Sequence, residues 1–171
     1  MSKPVRHTID DLLQLMARLR DPQTGCPWDI RQDFASLVPF TVEEVYEVVD
    51  TIERGDYDHL GEELGDLLFQ VVFYAQVAEE EGRFDFSTVV DGIVRKLLAR
   101  HPHVFPDGTL ASHRATAEAD ERQVKDQWEA IKAVERQSKG RSGLLADIPA
   151  ALPALVRAQK IQKRAARVGF D

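Results

Sequence analysis

Two stretches, EEVYEVVDTI at residues 43–52 and EELGDLLFQV at residues 62–71, carry the reading of this chain. Offset by 19 residues (43 onto 62), they repeat each other. Glu43 falls on Glu62, Glu44 on Glu63 and Glu47 on Asp66. The apolar positions coincide as well: Val45 with Leu64, Val48 with Leu67, Val49 with Leu68 and Ile52 with Val71. Apolar residues at i, i+3, i+4 and i+7 define one face of an α-helix. Both segments therefore predict amphipathic helices with the same acidic edge beside the same apolar face.

Side chains three residues apart on a helix lie on one side, with Cβ atoms about 5–6 Å apart. Glu44 and Glu47 can point together, and so can Glu63 and Asp66. If the two apolar faces meet, the two carboxylate pairs converge at the rim of the contact. Four carboxylates in one cleft repel one another and call for a cation. An all-oxygen, carboxylate-rich site suits the hard ions magnesium, manganese and calcium. A di-iron bundle would need Glu-x-x-His pairs. None of the five histidines has a glutamate three residues before it. The alternative is an acidic helix rim that holds no ion.

Working outward, most of the remaining chain also reads as helix. Thr8 with Asp11 signals a start, and Ile9, Leu12, Leu13, Met16 and Leu19 form an apolar stripe that should end before Pro22 and Gly25. The stretch GCPWDIRQDFASLVPF (25–40) has no clean period and reads as a loop with one short helix. Thr41 with Glu44 reads as a capping box opening the first carboxylate helix, which Gly55 and Asp56 break. The second runs from about Leu60 to Glu81, with Val72 and Ala75 also inward. Ser87 caps a further helix towards Arg100, and a charged helix runs from Thr116 to about Arg136. KGRSG (139–143) is a break. The tail beyond it is basic and amphipathic, through Arg157, Lys160, Lys163, Arg164 and Arg167. No segment alternates with period two. The expected fold is all-α, a four-helix bundle with additional C-terminal helices. Residues 1–139 are expected to form one domain, and residues 140–171 the break and basic helix.

With 171 residues, the chain suits one domain with a core. Its net charge of −7 argues against a duplex nucleic acid partner. One cysteine, Cys26, excludes an internal disulfide and any zinc site of two or four cysteines. The first residues, MSKPVRHTIDD, hold no signal-like apolar run, and nothing approaches a membrane span. A reducing cytoplasm is the expected location. Cations that could meet a phosphate occur at helical spacing: Lys96 with Arg100, and Lys132 four residues after Trp128. Each pair reads equally as solvated surface.

GCPWDIRQDFASL (25–37), EEVYE (43–47), GEELGDLLFQVVFYAQVAEEEGRFDF (61–86) and RKLLARHPHVF (95–105), in this order, resemble the MazG family of all-α nucleoside triphosphate pyrophosphohydrolases. The resemblance runs from about Thr8 to Asp171. It implies magnesium-dependent cleavage of a nucleoside triphosphate to the monophosphate and pyrophosphate by a metal-activated water, with manganese as a substitute ion. The family's metal ligands would fall on Glu44, Glu47, Glu63 and Asp66, with Glu43 or Glu62 supporting them. Lys96, Arg100 and Lys132 would meet the phosphates beside Trp128, and Trp28 would pack on the base or plug the core. It also implies a homodimer with active sites near the subunit interface. Many family members carry two such domains in tandem, and the tail ALVRAQKIQKRAARVGFD (154–171) resembles the segment leading into the second. The alternative is a non-catalytic, dimerising or regulatory nucleotide-binding half of such a tandem protein. A substrate such as phosphoribosyl-ATP or dUTP, used by related all-α enzymes, fits the flanking motifs less well.

Overall fold

Thr8 opens the first helix as its sequence predicts. Its backbone N–H donates to the Asp11 carboxylate at 2.8 Å, and α1 spans Ile9–Leu19. The computed structural model describes residues 6–113, 120–138, 143, 145, 148–166 and 168–170. Within these, α1 is followed by a 3₁₀ turn at Asp29–Arg31, then α2 (Phe34–Arg54), α3 (Tyr57–Glu80), α4 (Phe86–Arg100), α5 (Glu121–Ser138) and α6 (Ala154–Ala166). No strand occurs among the described residues, so the all-α expectation holds. No described helix is long and apolar enough to cross a membrane. The expected helix start at Thr116, the break at residues 139–142, the boundary between 139 and 140, and Arg167 lie outside the described residues.

The start of α2 corrects the sequence reading. The helix begins seven residues before Thr41, at Phe34. Its cap is Asp33, whose carboxylate accepts the Ser36 N–H at 2.8 Å while the Ser36 hydroxyl accepts the Asp33 N–H at 2.9 Å. Pro39 therefore sits inside the helix rather than before it. Proline removes one N–H from the helical ladder. Phe34 and Leu37, packed on the hydrophobic core, hold this first turn in place regardless. Thr41 is not a cap: its hydroxyl donates to the Leu37 carbonyl at 3.1 Å and lies 2.8 Å from the Tyr74 hydroxyl.

Gly55 ends α2 as expected. Its left-handed φ of 69° lets the Asp56 N–H reach back to the Thr51 carbonyl at 2.9 Å. Two residues then separate α2 from α3, so the helices run antiparallel. The third start also moves slightly: α4 begins at Phe86, and Asp85 rather than Ser87 caps it by accepting the Thr88 N–H at 2.7 Å.

The chain divides into two compact units, Met1–Ile93 and Val94–Asp171. In the first, α3 packs against both α1 and α2. Its core is Met16, Leu37, Val72, Phe73 and Val77, with Leu12, Leu13, Phe34, Phe69, Tyr74 and Phe86 packed around it. Arg20 staples the loop after α1 to α3. Its guanidinium, 9% exposed, donates to Glu80 at 2.8 Å and to the backbone carbonyls of Asp29 and Gln32. Gly25 is required within that loop, because an added Cβ would lie 2.3 Å from the Leu19 carbonyl oxygen.

One packing expectation fails. Val45, Val49, Ile52, Leu64, Leu68 and Val71 are each 40–49% exposed. Helices α2 and α3 do pair, but this apolar face is not what they bury. The core gathers instead at the end of the hairpin where α1 adds a third layer, because two helices alone cannot enclose a face on both sides.

Candidate functional site

Helices α2 and α3 bring three of the four expected carboxylates together, although the apolar faces beside them do not meet. Glu44, Glu63 and Asp66 each offer a carboxylate oxygen within 4.8 Å of the others. Glu44 and Glu63 are half-buried and Asp66 is exposed, so the group is open to solvent on one side. The Glu44 carboxyl titrates above the usual glutamate range. Burial is the largest cause, followed by the charges of Asp66 and Glu47 and a hydrogen bond from Glu47. Crowded acids resisting ionisation are what a cation would relieve. The donor set is oxygen only, which fits a hard divalent ion.

Glu47 is exposed and stands outside the tight group, touching it through Glu44. Three of the four expected ligands are thus gathered, and the fourth is a neighbour. Glu43 and Glu62 are exposed on the same helices.

In the second unit, Arg100, Trp128 and Lys132 meet. The Lys132 Nζ lies 4.2 Å from the Trp128 ring centroid, and the Arg100 guanidinium carbon 6.0 Å from it. Each cation already has an acidic partner. Arg100 pairs with Glu135 through two hydrogen bonds, and Lys132 with Glu129 at 3.3 Å. Pairing with Glu135 raises the Arg100 pKa above its ordinary value. Lys96, one turn before Arg100, is exposed. Trp28 is 47% exposed and meets Phe40 edge-on, with ring centroids 5.6 Å apart. It does not plug the core.

Two residues escaped the sequence reading. The role of Arg20 depends on Glu80, 60 residues away, which no local pattern reveals. Gln70 sits in the apolar run LLFQVV and is 6% exposed. A lone polar residue in such a run is the signal that could have marked it.

An antiparallel pair of helices with carboxylates gathered across the pair defines an all-α, carboxylate-bearing domain. Residues 32–105 match the model of the MazG nucleotide pyrophosphohydrolase domain. It is 58% identical over 163 residues to a nucleoside triphosphate pyrophosphohydrolase of Escherichia coli (strain K12), covering 95% of this chain and 59% of that protein. It is 41% identical over 162 residues to a nucleoside triphosphate pyrophosphohydrolase/pyrophosphatase MazG of Thermotoga maritima, covering 95% of this chain and 58% of that one. The chain thus spans under two thirds of the length of either relative. The crystal structure of a MazG-related protein from Thermotoga maritima has the same fold, with a TM-score of 0.58 at 24% identity over 72% of this chain and 98% of that one.

Proposed function

We propose that this chain hydrolyses nucleoside triphosphates to the monophosphate and pyrophosphate, using magnesium held by Glu44, Glu63 and Asp66 with Glu47 at their edge. The observation that carries the reading is the approach of three carboxylate oxygens to within 4.8 Å across α2 and α3. Relatives that match 95% of the chain are named for this activity, which supports the assignment.

In the reaction, one water oxygen bonds to the α-phosphorus as the bond from that phosphorus to the α–β bridging oxygen breaks. Pyrophosphate leaves with the bridging oxygen. A divalent cation would supply Lewis acidity for the water and charge for the phosphate oxygens. Manganese would substitute, since it accepts the same hard donors. Glu44, Glu63 and Asp66 would hold that cation, with Glu47 one turn from Glu44 on the same side of α2. Lys96, Arg100 and Lys132 are the cations proposed for the β and γ phosphates, with Trp128 orienting the last two. Phosphate oxygens would take over from Glu135 and Glu129 as their partners. Trp28, half-exposed, is proposed to stack on the base.

A second copy of the chain is proposed to cover the apolar face of Val45, Val49, Ile52, Leu64, Leu68 and Val71, turning two helix pairs into a four-helix bundle. Residues 1–139 form the catalytic part in this reading, with the basic segment 140–171 outside it. The acidic balance disfavours duplex nucleic acid as partner, and the single cysteine suits a reducing cytoplasm.

The test is pyrophosphate release by purified protein with magnesium across a panel of triphosphates. Glu44→Ala and Glu63→Ala should each lower turnover by about 100-fold or more with helix content unchanged. Wild-type folded protein that releases no pyrophosphate across the panel would favour the non-catalytic nucleotide-binding module.

A further inference from the structure

Among the described residues, Gln70 Oε1 is the one buried side-chain polar atom without a hydrogen-bond partner. The residue is 6% exposed. Buried amides are ordinarily satisfied, and an orphan marks a site that something else completes.

Its position indicates what that is. At 100° per residue, Glu63, Asp66 and Gln70 fall within an arc of about 60° on α3, with Gln70 one turn beyond Asp66. Helical side chains lean towards the helix N-terminus, so the Gln70 amide reaches back along α3 towards Asp66. Gln70 is thus the next, buried position on the α3 face that carries Asp66, which itself faces solvent.

We propose that Gln70 belongs to the cation site, its amide oxygen supplying a neutral donor from the buried side of Glu44, Glu63 and Asp66. Hard divalent ions accept amide oxygens alongside carboxylates. A neutral donor suits this place, because a fourth close charge beside three carboxylates would add repulsion. The inference rests on the metal-binding reading above and adds a residue to it.

The experiment is Mn²⁺ binding to the full chain without nucleotide, followed by the electron paramagnetic resonance of the free ion, beside the melting temperature of the metal-free protein. Gln70→Leu removes the orphan oxygen at similar volume. Mn²⁺ affinity should fall about tenfold, while the metal-free melting temperature should hold or rise, since an unsatisfied polar atom has gone. Gln70→Glu retains the oxygen and adds charge. It should bind Mn²⁺ at least as tightly as the wild type and melt lower without metal. Unchanged affinity in Gln70→Leu overturns the proposal. So does equal weakening in both variants, or a lower metal-free melting temperature in Gln70→Leu, which would mark a structural role. Failure of the wild type itself to bind Mn²⁺ would instead sink the metal site.

Discussion

Arg20 shows how much a single residue can decide. A guanidinium 9% exposed is tolerable only because Glu80 and two backbone carbonyls accept from it. Glu80→Ala leaves that charge buried with carbonyls alone and should cost about 2 kcal/mol, read from chemical denaturation at neutral pH. The pair also predicts a pH dependence. The Arg20 hydrogen bond holds the Glu80 carboxyl below the ordinary glutamate range. A depressed carboxylate contributes stability that is present above its unfolded value and lost as pH falls through its folded one. The stability gap between wild type and Glu80→Gln should therefore narrow steadily below about pH 4.5, and a gap that widens on acidification would contradict the assignment. The same scale shows what a spacing rule can and cannot see. Glu44, Glu63 and Asp66 were legible because i, i+3 geometry is local. Gln70 was not, because its significance lies in lacking a partner, which only the packed hairpin reveals.

At the scale of elements, helix ends were read well where the cap and the break agreed and poorly where they conflicted. Thr8 with Asp11, and Gly55 with Asp56, stood at unambiguous boundaries. Around α2, residues 25–40 read as a loop and Thr41 as a start, yet Asp33 with Ser36 is the true capping box. Packing of Phe34 and Leu37 outweighs the bond lost at Pro39. Asp33→Ala should therefore destabilise the protein by about 1 kcal/mol, measured by urea unfolding, and fray the turn that carries Phe34. Thr41→Ala, despite its cap-like sequence, should leave the helix start in place; hydrogen exchange at Leu37 and Val38 would report the difference between the two.

For the whole molecule, the unresolved balance is apolar surface. Six large apolar residues on α2 and α3 stand 40–49% exposed in a row of matched positions, where a single soluble chain ordinarily keeps such patches small. The proposed second copy would cover them. Ile52→Glu, placed on this face and away from the carboxylate group, should shift the assembly to monomer in sedimentation equilibrium while the core around Phe73 stays folded. A wild-type chain that already sediments as a monomer at micromolar concentration would rule the covering copy out.

The amino-acid order by itself determined the helical class and the hairpin made by α2 and α3, and it marked four acids, Glu44, Glu47, Glu63 and Asp66, of which the fold gathers three. Those are consequences of periodicity and of near neighbours on one helix, and they need nothing distant. Tertiary packing alone decided that α2 starts at Phe34, that the matched apolar faces stay outside the core, that Arg100 and Lys132 are held by Glu135 and Glu129, and that Gln70 is buried without a partner. Each of these depends on what a side chain meets across the fold, and burial and pairing are properties of the assembled surface rather than of any local stretch of chain.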